Sequence, residues 1–177
     1  MTAIGRFTTI EASGDLLADI RRLLVDAFEG EFSDDDWDHT LGGSHVIVTD
    51  EGSLLSHAAV VPRTLEVAGR RLHGGYVEGV ATAPTMQREG LASVVMAEAA
   101  QLLRSQFEMG ALSTGRHSFY ARLGWERWQG PTFVRRGEEL IRTATEDDGV
   151  MVLRFGPSED VDLGAPISCE ARRGDDW

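Results

Sequence analysis

Two groups of residues have the types and spacing to do chemistry. The first is Val80-Ala-Thr-Ala-Pro-Thr-Met-Gln87-Arg88-Glu89-Gly90-Leu91-Ala92. It reads as a strand turning into a long amphipathic helix. Backbone N–H groups at such a turn converge on one point, and the helix dipole adds partial positive charge there. Gly90 lets an anion approach where a Cβ would intrude, Ala92 keeps the first helical turn narrow, and Arg88 offers a charged contact. The loop suits a pyrophosphate. It lacks the Gly-Lys-Ser/Thr of a Walker loop and the glycines of a dinucleotide fingerprint. Taken alone, Gln-x-x-Gly-x-Ala fits a plain strand-to-helix turn equally well.

The second group is acidic. It comprises Glu29-Gly-Glu31-Phe-Ser-Asp34-Asp35-Asp36-Trp37-Asp38, Glu146-Asp147-Asp148, and Arg173-Gly174-Asp175-Asp176-Trp177. Any one of these alone is usually a solvated run or a frayed tail. A tryptophan directly after two aspartates is less expected of a frayed tail, and its terminal carboxylate is one more acceptor for an ammonium. The whole sequence carries 17 Lys and Arg against 29 Asp and Glu, a formal net charge of −12. That balance argues against phosphate-backbone recognition, hence against nucleic acid. It favours a cationic partner, since a cleft of one sign concentrates the opposite sign, although acidity also serves plain solubility.

The elements that must position these residues follow from periodicity. Leu16, Ile20, Leu23, Leu24 and Ala27 form one helical stripe over residues 15–28, with Asp15 near its start and Gly30 just past its end. Ser33 is a fitting N-cap for a short acidic helix that stops at Gly42-Gly43. His45 to Thr49 and Leu54 to Val61 read as strands around a turn at Asp50-Glu51-Gly52. Leu65 to Val67 and Leu72 flank a second turn at residues 68–70, and Tyr76 to Thr82 makes another strand. Gly90 to Phe107 is a strong helix, with Ala92, Val95, Met96, Ala99, Leu102 and Leu103 on its apolar face. Ala111 to Ser113 is a short strand, 117–123 a short helix ended by Gly124, and Trp125 onward and Val150 to Phe155 supply the last strands. The order predicts an α/β chain: a mixed sheet flanked by helices on both faces, residues 1–177 forming one domain. No apolar run approaches a membrane span, and Met1 to Arg6 does not resemble the start of a signal peptide. The lone Cys169 fits a reducing cytoplasm. His39, His45, His57, His73 and His117 are scattered, with no Cys/His spacing typical of a metal site, so no metal is expected.

In Gln87, Gly90 and Ala92 the chain resembles the GNAT acetyltransferases, whose signature is Gln/Arg-x-x-Gly-x-Gly/Ala after a central strand. Phe119-Tyr120-Ala-Arg-Leu-Gly124-Trp125 is similar to that family's second element. The resemblance implies a central sheet splayed beside the Val80 strand, with acetyl-CoA in the gap. Backbone groups of Val80 and Thr82 would pair with the pantetheine arm, and Gln87, Arg88, Glu89, Gly90, Leu91 and Ala92 would hold the pyrophosphate. Glu78, two residues before Val80 in an otherwise apolar strand, would take the proton from the attacking ammonium; otherwise it is an outward-facing strand glutamate. Tyr120, a weak acid of pKa about 10, would protonate the leaving thiolate; otherwise it is a core aromatic. Cys169 has no visibly paired histidine base and reads as structural.

Within that superfamily the chain resembles the aminoglycoside 2′-N-acetyltransferases. Phe28-Glu-Gly-Glu-Phe-Ser with Asp36-Trp37-Asp-His39-Thr-Leu-Gly-Gly43, then Gly75-Tyr-Val-Glu-Gly-Val80, Gly110-Ala-Leu-Ser113 and Gly-Asp-Asp-Trp177 carry the likeness over nearly the whole chain. It implies substrate contacts from Glu31, Asp36, Glu78, Ser113, Asp147, Asp175 and the Trp177 carboxylate. Position 31 holds Glu where the family pattern has Asp, and the stretch from Ser113 to Tyr120 is shorter than in some members. The resemblance also implies antibiotic resistance as a role and allows a homodimer. Two rival readings stay open: a GNAT enzyme for another amine (polyamine, peptide N-terminus or cell-wall precursor), and a non-catalytic acyl-CoA sensor.

Overall fold

A computed structural model describes residues Met1–Trp177. In chain order the elements are β1 (Thr2–Thr8), α1 (Gly14–Ala27), α2 (Asp34–His39), β2 (Ser44–Asp50), β3 (Ser53–Val67), β4 (Arg70–Thr82), α3 (Leu91–Gln106), β5 (Met109–Ser113), α4 (His117–Ala121), β6 (Glu126–Arg127), β7 (Thr132–Arg136), β8 (Glu139–Arg142), β9 (Val150–Arg154) and β10 (Ile167–Glu170). The ten strands form a mixed sheet, as expected for an α/β fold. The chain divides into two units interleaved in sequence, Met1–Val61 with Val77–Leu102, and Pro62–Tyr76 with Leu103–Trp177.

In the first unit β1, β2 and the first part of β3 form an antiparallel meander, running from Thr8↔Ser44 and Ser44↔Val60 outward. The α1 stripe does what its spacing predicts. Ile20, Leu23 and Leu24 are buried with Ile47 and Ala81, and Phe7, Leu16, Ala27 and Trp37 close around them. The cap of α1 is Ser13, whose Oγ accepts from the Leu16 N–H at 3.2 Å. Helix α2 begins at Ser33 with a reciprocal capping box: the Ser33 Oγ accepts from the Asp36 N–H, and the Asp36 carboxylate accepts from the Ser33 N–H at 2.8 Å. Val95, Met96 and Ala99 form the buried face of α3.

In the second unit the beginning of β4 pairs in parallel with β5 (Gly74↔Met109 to Tyr76↔Ala111), β5 pairs antiparallel with β9, and β9 with β6. The end of β3 pairs with β10, β10 in parallel with β7, and β7 with β8. Gly75 is required by space: a Cβ there would lie 2.3 Å from Leu103 Cδ2 and 2.8 Å from Phe107.

Several strands are longer or more numerous than periodicity predicts. β3 runs straight through Pro62, which is exposed, so its missing N–H is no loss to the core. β4 starts at Arg70 rather than Tyr76. β1, β7, β8 and β10 have no counterpart in the sequence reading. β1 is largely exposed and β8 wholly so, which leaves little alternation to detect.

Candidate active site

The expected site residues fall in four local arrangements, the first at the end of β4. The β4–β5 ladder stops at Tyr76↔Ala111, while β4 continues through Val77–Thr82. Glu78, Gly79 and Val80 are half-buried, and Gly79 has a left-handed φ of +56°. A Cβ at Gly79 would stand 2.8 Å from Thr40 Cγ2 and 3.3 Å from Leu24 Cδ2, so both conformation and space demand glycine. A left-handed residue inside a strand redirects the chain, as at the bulges that re-aim side chains beside active sites. The far end of β4 is fastened to β3: Ser56 Oγ donates to the Ala81 carbonyl at 2.8 Å, Ser56 Oγ and Thr82 Oγ1 are 3.0 Å apart, and the Ala83 N–H donates to the Leu55 carbonyl at 2.8 Å.

The second arrangement is the predicted pyrophosphate loop. After Thr82 the chain makes a single 3₁₀ turn, Pro84–Met86, and enters α3 at Leu91. Gln87, Arg88, Glu89 and Gly90 are exposed, and Leu91 and Ala92 half-buried. Gly90 has φ +81° with no atom within 4 Å of where a Cβ would be, and Arg88 is also left-handed at φ +71°. The Gly90 carbonyl accepts from the Ser93 and Val94 N–H groups, closing the first turn of α3. An open glycine at a strand-to-helix turn, with an arginine beside it, is compatible with an anionic diphosphate.

The third arrangement surrounds Tyr120, on the short α4. Its ring meets those of Phe119 and Trp125 edge-on, at centroid distances of 4.9 and 6.3 Å, and its carbonyl accepts from the Leu123 and Trp125 N–H groups. Burial pushes the phenol up to about 12, with the Arg116 cation opposing the rise. The side chain is a neutral donor across the whole neutral range.

The fourth concerns the acidic segments, each in its own surroundings. Glu31 is exposed and Asp36 half-buried, both around the start of α2. Ser113 ends β5 opposite Val150; its Oγ would lie 2.6 Å from a Cβ at Gly149, in the turn that carries Asp147. Asp147 is tied inward. Its Oδ1 accepts from the Thr132 N–H at 3.0 Å, from Thr132 Oγ1 at 2.9 Å and from Arg142 Nη1 at 2.7 Å. The Arg142 guanidinium and Thr132 hold this carboxyl well below the usual range. The same network reaches Trp177, whose Nε1–H donates to Thr143 Oγ1 at 3.1 Å, while Thr143 Oγ1 donates to Thr132 Oγ1 at 2.8 Å. Trp177 is buried, and residues 172–176 are fastened to the fold. Arg63 Nη1 donates to the Asp176 carbonyl at 2.6 Å, and the Arg172 N–H donates to the Asp176 carboxylate at 3.0 Å. Asp175 is exposed, with its carbonyl accepting from Arg172 Nε at 2.7 Å. Asp147 and Trp177 therefore share one hydrogen-bond network, which joins the second and third acidic segments. The Cys169 thiol is buried and pushed up to about 11, and donates to the Asp176 carbonyl, so it is no nucleophile at neutral pH.

Residue types alone did not single out Gly79, which adjoins Glu78, or Thr132, Arg142 and Thr143, which hydrogen-bond Asp147 or Trp177. The two buried histidines 45 and 57, scattered in sequence, meet across β2 and β3. The only sequence signal for them was an imidazole within each otherwise apolar strand.

Residues 9–128 match the acetyltransferase (GNAT) domain family. The chain belongs to that family. It is 43% identical over 162 residues, 89% of its length and 83% of the relative's, to an aminoglycoside 2′-N-acetyltransferase of Mycolicibacterium fortuitum. Among solved structures, a GNAT family N-acetyltransferase from Escherichia coli in complex with CoA superposes with a TM-score of 0.66 at 19% identity, covering 94% of this chain and 88% of that one. A GNAT family acetyltransferase from Brucella melitensis in complex with acetyl-CoA gives 0.63 at 17% identity, covering 94% of each. Some matched structures are longer proteins: the chain spans 34% of a GCN5-related N-acetyltransferase from Kribbella flavida, at a TM-score of 0.57. At such identities the structural likeness establishes the fold.

Proposed function

We propose that the chain, working as one acetyltransferase domain, transfers an acetyl group from acetyl-CoA directly to the 2′-amino group of an aminoglycoside. The observation that carries this reading is the 43% identity, over 89% of the chain, to a relative named for that reaction. The acidic segments add to it: a sugar bearing several ammonium groups needs convergent carboxylates rather than an apolar pocket, each charge-assisted hydrogen bond giving about 1.5–3 kcal/mol.

Acetyl-CoA, when bound, supplies an activated thioester. The chain's own residues do the rest. The backbone of Val80 and Thr82 receives the pantetheine arm by strand addition. Gln87, Arg88, Glu89, Gly90, Leu91 and Ala92 take the pyrophosphate at the head of α3. Glu78 accepts a proton from the substrate ammonium, directly or through water, and Tyr120 donates one to the departing sulfur. Glu31, Asp36, Ser113, Asp175 and the Trp177 carboxylate orient the sugar, and Asp147 shares its carboxylate between Arg142 and the substrate. A lone, buried cysteine, Cys169, fits work in the reducing cytoplasm, with aminoglycoside resistance as the outcome. No helix is long and apolar enough to cross a membrane.

The test is thiol release from acetyl-CoA with an aminoglycoside panel that includes compounds bearing a hydroxyl at the 2′ position. One acetyl group added only where the 2′ amine is present, located by mass spectrometry and NMR, is the expected result. Acetylation of the 2′-hydroxyl compounds, or no turnover on any of them, would overturn the substrate assignment.

A further inference from the structure

His45 and His57 are fully buried, and no step above uses them. The register of β2 on β3 sets His45 against Ala59 and Ile47 against His57, which makes the two imidazoles diagonal neighbours. Their bonds run in one direction. The Gly79 carbonyl can only accept, so His57 Nδ1–H is the donor at 2.7 Å. His57 Nε2 is then an acceptor, and His45 Nδ1–H donates to it at 2.9 Å. That leaves His45 Nε2 as an acceptor, 2.8 Å from Thr9 Oγ1, which in turn accepts from the Gly42 N–H at 3.0 Å. The Gly79 carbonyl thus fixes His57 as the Nδ1–H tautomer and His45 as an Nδ1–H donor, and with a neutral His45 every polar atom in the series is satisfied. Burial also disfavours their charged forms, lowering His45 to about 4 and His57 to about 3.

A core built for stability alone gains little from two imidazoles, because replacing both partners of a buried hydrogen bond by apolar groups of like shape is nearly neutral or stabilising. The series ends on the one residue of β4 that most needs to be fixed. Glycine enters left-handed and right-handed wells about equally, so its sequence does not choose φ +56°. At Gly79 the choice is made from two sides: His57 holds the carbonyl, and Thr40 and Leu24 crowd the Cα face.

Resting on the acetyl-transfer reading above, we propose that the Thr9–His45–His57 relay is a positioning device that locks the Gly79 kink and thereby aims the Glu78 carboxylate and the Val80 backbone on either side of it. The relay ends on a carbonyl, so it moves no proton. His45 and His57 are positioning residues.

His57→Leu, compared with His57→Asn, provides the kinetic test, since the Asn amide can take the place of Nδ1–H against Gly79. The Leu variant is expected to lose kcat roughly ten- to a hundredfold, the scale on which a displacement of about 1 Å acts, with aminoglycoside KM changing far less. Asn is expected to recover most of the loss. A Leu variant of wild-type kcat, or an Asn variant as slow as Leu at equal melting temperature, overturns the proposal. Long-range ¹H–¹⁵N spectra of the wild-type protein test it without substrate and regardless of whether the Leu variant folds. Nδ1–H signals from both rings are expected, together with slow exchange of the Gly79 and Val80 amides that quickens in the Leu variant or, should Leu not fold, in His45→Asn. An Nε2–H tautomer or a charged ring at neutral pH overturns it. If the relay signals are present while no aminoglycoside is acetylated, the substrate reading has failed and the relay stands.

Discussion

As the proposed base and acid, Glu78 and Tyr120 would place opposite demands on their surroundings. A base must be ionised at neutral pH and an acid must keep its proton. Burial meets the second demand: with the Tyr120 phenol pushed up to about 12, the side chain stays a donor well above neutrality. Tyr120→Phe and Glu78→Gln are each expected to lower kcat by about 10²–10⁴ while leaving CoA binding in place, read from steady-state thiol release and CoA titration. Turnover that survives both changes would remove the acid–base assignment and leave the fold untouched. Among the acidic residues, Asp175 is exposed whereas Asp147 answers to Arg142. Asp175→Asn should therefore raise aminoglycoside KM by about tenfold or more, consistent with one lost charge-assisted bond, without moving the melting temperature. An unchanged KM would take Asp175 off the list of contacts.

The strand β4 concentrates several constraints. Its beginning is ladder-paired to β5, its end is pinned to β3 by Ser56 and Ala83, and between them Gly79 turns left-handed. Gly79→Ala meets both an unfavourable φ and the Thr40 methyl. A loss of about 1–3 kcal/mol in denaturant stability is expected, with kcat falling as well. A variant as stable as the wild type would mean that the kink is not held. The histidines behind it give β2 and β3 a pH signature. Both rings titrate near 6.5 when exposed, and in the fold burial lowers His45 to about 4 and His57 to about 3, with His45 itself a second cause for His57. Between those values the unfolded chain binds more protons than the folded one. Stability is thus unaffected by these rings above pH 6.5 and declines as pH falls from there towards 4 and below. Melting curves across this range should be flatter for His57→Asn than for the wild type, and parallel curves would contradict the burial of a neutral ring.

At the scale of the whole molecule the salient quantity is the charge of −12. A polycationic substrate approaching such a surface is steered by a field that salt screens, with a Debye length of about 10 Å at 0.1 M. Raising salt from about 20 mM to about 0.2 M should therefore raise aminoglycoside KM several-fold, with less effect on the rate at saturation. An aminoglycoside KM indifferent to salt would make the acidity a matter of solubility.

Local patterns alone determined a good deal. The helical stripe of α1, the Ser33 cap, the strong helix α3 and the Gln87–Ala92 loop before it are each written within a short window, because a helix meets its own neighbours every three or four residues and a cap bonds within one turn. The likeness of short motifs to the GNAT acetyltransferases, rather than residue type alone, pointed to Glu78 and Tyr120. What needed the folded chain was everything decided by partners distant in sequence. The existence of β1 and β8 depends on pairing rather than on alternation, since an exposed edge strand has no apolar period to read. The meeting of His45 with His57 depends on a register, and the binding of Trp177 to Thr143 and onward to Asp147 depends on how β7 and its turn fold back. Both joins arise from burial and hydrogen bonds between separated segments, which no window along the sequence contains.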